Sequence, residues 1–166
     1  MIILSALGGV MSVPIGHTGN VLKGIPGIPF GSSQALSGLH VLWLVLSAMI
    51  VGKTGSGTMT GALKGLVELF LGSFHGIFVF LISLIEGVVV DIVFAAARGR
   101  NNTISAFLAG GLSSASNVAV TQFLIIPNLP GAVLAYMYLV SFISGSLFTG
   151  YLGKRVLEIV HSITSR

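Results

Sequence analysis

Residues 74–97 read FHGIFVFLISLIEGVVVDIVFAAA, a run whose only acidic residues are Glu86 and Asp91 and which contains no Lys or Arg. Its apolar residues are continuous rather than alternating, which argues against a barrel strand. Its length exceeds the about 20 residues that a helix needs to cross a bilayer. The run is a membrane-spanning helix. The remainder of the chain has the same character: 54% of its 166 residues are hydrophobic and 7% are charged, whereas a soluble domain carries about a quarter charged residues. Lipid must solvate such an exterior.

Working outward from this segment, apolar runs fall at about 1–16, 36–52, 56–72, 103–126 and 130–154. The expected fold is all-α, a polytopic bundle of six transmembrane helices forming a single transmembrane domain over 1–166. The first run is short, and Pro14, Gly16 and Gly19 predict an irregular end to it. Residues 17–35 then form one long Gly/Pro-rich loop, a kind of connection that often covers a binding site. Met1 to Val13 lacks a charged leader and a cleavage-type ending, so it reads as a span rather than a signal peptide.

Charge placement predicts orientation. Lys53, Arg98, Arg100, Lys154, Arg155 and Arg166 fall in the second and fourth connections and the C-terminal tail, and an even number of spans puts them all on one side. Lys23 marks the other. The positive-inside rule makes that populated side cytoplasmic, together with both termini, and turns the 17–35 loop outward in a multi-pass protein of the cell membrane. The net charge of +4 therefore orients the chain and does not point to nucleic acid. The absence of cysteine excludes disulfide frameworks, thiolate metal sites and cysteine nucleophiles.

Small residues recur every fourth position: Gly57, Gly61 and Gly65 on the third span, Ser141, Gly145, Thr149 and Gly153 on the sixth, Gly110 and Ser114 on the fifth, Ser5 and Gly9 on the first. Such stripes let helix backbones approach closely where lipid supplies no hydrophobic drive for association. Most serve internal packing. The pair Ser5 and Gly9 is the best placed to dock a partner's helix.

Lys64, Glu68, Glu86 and Asp91 lie inside predicted spans, where an ionisable residue costs at least about 2.5–3.5 kcal/mol. Lys64 and Glu68 share a helix face at four-residue spacing. Depth matching makes Lys64 a partner for Glu86 or Asp91, and a structural Lys64–Asp91 charge pair leaves Glu68 and Glu86 for a ligand. Two unmatched acids favour a cationic or amine-bearing molecule. Asn20, His40, Trp43, Asn117, Gln122 and Tyr136 are candidates to complete a substrate pocket on the outer side, with His17, His75, Thr121 and Tyr138 nearby. The histidines lack metal-ligand spacing, so no metal is expected.

Two tempting motifs fail. Gly52-Lys53-Thr54 resembles the end of a phosphate-binding loop, but Ser47 stands at the first required glycine. Asn101-Asn102-Thr103 fits a glycosylation pattern on the side read as cytoplasmic. No Ser/His/Asp arrangement supports hydrolysis, so the chain reads as no enzyme and as needing no cofactor.

Several short segments carry a family resemblance. They are Gly19-Asn20-Val21-Leu22, Leu66 to Gly72, and the run from Glu86 through Gly87 and Asp91 to Phe94-Ala95. Further along come Leu108-Ala109-Gly110 with Ser113-Ser114, and Ile143-Ser144-Gly145 through Gly150-Tyr151-Leu152-Gly153-Lys154. Together they resemble the substrate-binding (S) subunits of energy-coupling factor (ECF) vitamin transporters, and most closely the YkoE type linked to thiamine or its hydroxymethylpyrimidine precursor. The resemblance implies a pocket near the outer leaflet, a transmembrane coupling subunit and ATPase subunits as partners, and a toppling motion that releases cargo. It places Glu68 at the family's acidic position and Glu86 where the type usually has an amide. Ser5 and Gly9 replace the usual alanines, and Lys64 is a departure. The competing readings are a stand-alone proton- or ion-coupled carrier or channel and a purely structural membrane subunit.

Overall fold

The computed structural model describes residues 1–24, 32–72, 76–97, 102–125 and 128–164. Helix α1 runs Ile2–Gly24, a 3-10 turn at Ser32–Leu36 leads into α2 (Ser37–Val51), and α3 (Ser56–Phe70), α4 (Phe78–Ala96) and α5 (Thr103–Leu124) follow. Helix α6 (Gly131–Leu147) continues through a π-helical turn, Phe148–Gly153, into α7 (Lys154–Thr164). No strand occurs among the described residues. The bundle thus has six helices, the last extended, and five of them are long and apolar enough to cross a membrane. The exception is α3. At 15 residues it is about 22 Å long, short of the about 30 Å hydrocarbon core.

Four of the predicted spans agree closely with α2 to α5, and α6 runs on into α7. The first span does not end where Pro14 and the glycines predicted: α1 continues to Gly24, so residues 17–24 are helical and not loop. An apolar environment offers no water to satisfy freed backbone groups, so continuing the helix through Pro14 is cheaper than unwinding it. Thr18 supports this by donating its hydroxyl to the Pro14 carbonyl at 2.9 Å. Loop residues 25–31 lie outside the described residues, as do His75, Arg98, Arg100, Asn101 and Arg166.

Helix α2 occupies the centre and touches α1, α3, α4, α5 and α6. Its Val41, Leu44, Val45, Ala48 and Met49 are buried with Val90, Phe94, Ala106, Ala109 and Leu157. Large apolar side chains such as Ile2, Ile3, Phe70, Ile92 and Phe123 cover the exterior, which suits lipid and not water.

The small-residue stripes set the closest contacts. A methyl group on Gly61 would collide with the Ser83 carbonyl, and one on Gly57 would reach within 2.8 Å of the Gly87 carbonyl. Gly65 lies against Phe80 in the same way, so one face of α3 seats directly on the α4 backbone. Gly110 and Gly145 bring α5 and α6 together similarly. Hydrogen bonds then fix register: Ser37 to Ser141 at 3.0 Å, Ser144 to the Ala35 carbonyl at 2.6 Å, and Thr60 to Ser47 at 2.7 Å. Thr149 donates both to Gly145 and across to the Ala106 carbonyl, at the start of the π-helical turn, where an extra residue per turn is accommodated.

The stripe on α1 belongs to this internal packing. Ser5 and Gly9 are buried, and a methyl group on Gly9 would strike Val67 of α3. They are therefore not an outward docking face. The exposed positions of α1 include Ala6, Leu7 and Val10, which lie on the side of the helix turned away from the bundle.

Candidate functional site

A cavity of about 250 Å³ opens where α1, α3 and α5 end and α2, α4 and α6 begin. Lys53, Lys154 and Arg155 lie at the opposite end of these elements. Antiparallel connection brings the two ends of the chain's chemistry apart in this way. The last turns of α1 form one wall through Ser12, Gly16 and Asn20, and the 3-10 turn contributes Gln34.

The charged floor comes from α3 and α4. Lys64 is 1% exposed and Glu68 2%. Lys64 Nζ donates to Glu68 Oε1 at 2.8 Å and to Ser83 Oγ at 3.0 Å, while Ser83 Oγ donates to Glu68 Oε2 at 2.7 Å. Both carboxylate oxygens of Glu68 are thus engaged. His40 Nδ1 stands 3.8 Å from Glu68 Oε1 and 3.0 Å from Ser12 Oγ. Because Ser12 also donates to the Gly8 carbonyl at 2.8 Å, the proton in the His40–Ser12 contact is best assigned to Nδ1.

The paired acid predicted for Lys64 was Asp91, and the structure corrects this. Asp91 instead receives Gly57 N at 3.2 Å, Thr58 N at 2.8 Å and the Thr58 hydroxyl at 2.7 Å. It caps the N-terminus of α3, where Gly55 supplies no side-chain cap and the helix dipole favours a negative group. Antiparallel packing explains the change: Gly57 faces Gly87 and Gly61 faces Ser83, so Lys64 is level with Ser83 and about two turns from Asp91.

Glu86 is 1% exposed. Asn117 Nδ2 donates to its Oε1 at 2.8 Å, and its Oε2 has no hydrogen-bond partner among the described residues. A buried polar atom left unpaired costs about 1–3 kcal/mol, and this one belongs to a residue of the cavity wall.

Of the predicted pocket residues, Asn20, His40, Glu68, Glu86 and Asn117 line the cavity, with His17 and Thr121. Trp43, Gln122 and Tyr136 do not line it. Trp43 packs on Gly8 of α1 and against the apolar core, and Gln122 accepts from the Tyr138 hydroxyl at 3.0 Å. On α6 it is Met137, the neighbour of Tyr136, that faces inward. Sequence reasoning missed Ser12, Gln34, Ser83 and Met137. A signal existed for Ser83, which precedes Glu86 by three residues and so shares its helix face.

A family described as the permease component of an ABC-type cobalt transport system matches residues 1–116. The chain belongs to this family. A Bacillus subtilis (strain 168) protein, YkoE, designated an HMP/thiamine permease, is 28% identical over 161 residues, covering 95% of this chain and 79% of its own. A crystal structure of an S component of an ECF transporter superposes with a TM-score of 0.86 at 28% identity, covering 99% of this chain and 83% of that one. The protein is accordingly an S component, a multi-pass membrane protein that binds substrate for transport and is not an enzyme.

Proposed function

We propose that this S component binds an aminopyrimidine vitamin or precursor of the thiamine type in the cavity and passes it to a transmembrane coupling subunit driven by ATPase subunits. The observation that carries this reading is the unpaired Oε2 of Glu86 in the cavity wall. A protonated or amino-substituted heterocycle supplies the donor it lacks, through the charge-assisted hydrogen bond that is the strong kind. The designation of YkoE as an HMP/thiamine permease supports the same ligand class. The cavity volume of about 250 Å³ lies just below the about 300–1,000 Å³ common for drug-sized ligands, which suits a small vitamin.

Charge placement supports a cavity that opens outward, with both termini cytoplasmic. The opposite half of the bundle is filled by Val45, Ala48, Met49, Val90, Phe94 and Ala106, which favours a binding role over a proton path through the protein. The test is titration of the purified protein in nanodiscs with thiamine and with hydroxymethylpyrimidine. One-to-one binding of at least one is expected. Binding of neither refutes the vitamin assignment, and flux through liposomes containing this chain alone would favour a stand-alone carrier.

A further inference from the structure

The floor of the cavity holds two acids in different situations. Glu68 accepts from Lys64 and from Ser83 on separate oxygens, at 2.8 and 2.7 Å, and His40 stands 3.8 Å away. Glu86 receives a bond from Asn117 at 2.8 Å, and its buried Oε2 is unpaired among the described residues. Lys64 itself is 1% exposed and is held by Glu68 and Ser83 together. Separating this pair would leave an uncompensated buried charge on each side, which costs far more than a neutral hydrogen bond. A ligand cation arriving at Glu68 would have to displace an ammonium tethered four residues away on the same helix.

From this we infer that Lys64 is a built-in counter-ion that occupies Glu68, so that Glu86 with Asn117 alone reads the positive or donor group of the ligand. The floor then carries one unmatched acid, and it selects ligands presenting a single cationic or amidine-like edge. Lys64 sets this selectivity without touching the ligand's charged group. The inference rests on the cavity being the ligand site, and it specifies which acid does the recognising and how many charges the site accepts.

The experiment compares wild type, Glu86→Gln, Lys64→Met and the neutral double variant Lys64→Met/Glu68→Gln, all in nanodiscs. Binding of thiamine and hydroxymethylpyrimidine is titrated, and the melting temperature is followed with acetamidinium, imidazolium and short diamines as simpler probes. Glu86→Gln should weaken the bound vitamin by about tenfold to a hundredfold, the effect of losing one charged hydrogen bond, and should abolish stabilisation by the monocations. The double variant, which removes both charges of the floor pair together, should keep the selectivity of wild type, responding to the monocations and not to the diamines. Lys64→Met should gain a response to diamines; because it can unfold the protein by leaving Glu68 buried without its counter-ion, the double variant carries the decision. Loss of the monocation response in the double variant, as in Glu86→Gln, with its melting temperature intact, overturns the inference while the vitamin assignment stands. If neither vitamin binds but the monocations stabilise wild type and not Glu86→Gln, the assignment of Glu86 stands and the vitamin falls. No monocation response in wild type, or one that survives Glu86→Gln, overturns the inference.

Discussion

Substituting Gly61 by Ala tests whether the seating of α3 on α4 also builds the binding floor. The added methyl group would collide with the Ser83 carbonyl and approach Gly87 Cα at 3.3 Å. Both are backbone atoms and cannot step aside as a flexible side chain would, so the helices must separate. Overpacking of this kind costs about 1–3 kcal/mol. The displaced residue is also the one whose hydroxyl joins Lys64 to Glu68 at 3.0 and 2.7 Å, and a shift of about 0.5–1 Å takes such bonds to the edge of useful geometry. Interhelical polar contacts in bilayers contribute about 0.6–2 kcal/mol, which brings the expected loss to about 2–4 kcal/mol. That is a large part of a net stability of about 5–15 kcal/mol and corresponds to a fall of about 5–15 °C in melting temperature. Trp43 is the only tryptophan and packs on Gly8, so intrinsic fluorescence during a thermal ramp reports the transition. Ligand affinity should fall alongside. A melting temperature within about 2 °C of wild type, with affinity unchanged, would refute the claim that this contact holds the floor in place.

Other outcomes follow from the same geometry. Gly16→Ala in α1, where a methyl group meets no atom within 4 Å, should be neutral or raise stability by up to about 1 kcal/mol, the usual gain for filling a helix-interior glycine; a marked fall in the same melting assay would contradict the open space beside it. Asp91→Ala removes three hydrogen bonds at the start of α3 and should lower stability by about 1–3 kcal/mol while leaving ligand affinity intact, since the cap lies at the far end from the cavity. Asn117→Leu deprives Glu86 Oε1 of the amide donor and should weaken binding by about tenfold, as read by calorimetry; an unchanged affinity would mean that another group orients Glu86. The chain contains no cysteine, so single substitutions report sidedness: an impermeant maleimide added to intact cells should label Gly131→Cys and spare Thr54→Cys, and the reverse pattern would invert the proposed orientation.

Much of the fold was legible because hydropathy is carried residue by residue. The run around Glu86 read as a span from its own composition, and the stripe Gly57, Gly61 and Gly65 announced a close helix contact before its partner was known. The site was legible in part. Glu68, Glu86, His40, Asn20 and Asn117 could be named because polar groups in an apolar span are conspicuous, whereas Ser83 and Ser12 are small and common in membrane helices and stand out only beside a charge. Trp43 and Tyr136 misled for the opposite reason, since aromatic residues near a helix end look alike whether they face a cavity, a neighbour or lipid.

The amino-acid sequence by itself determined that the protein lives in a bilayer, how many helices it folds into and which end of the bundle gathers the positive charge. These are consequences of transfer free energies that each segment expresses independently of the others. Tertiary structure decided which acid holds Lys64, that Asp91 caps α3 and that Ser5 and Gly9 point inward. Each of these depends on the angle and register at which two helices meet, set by backbone contacts at Gly57, Gly61, Gly87 and Gly9. A rotation of one residue, about 100° around a helix axis, would have exchanged one partner for another with no change in hydropathy. For that reason the unpaired oxygen of Glu86, on which the proposed function rests, became visible only once the helices were assembled.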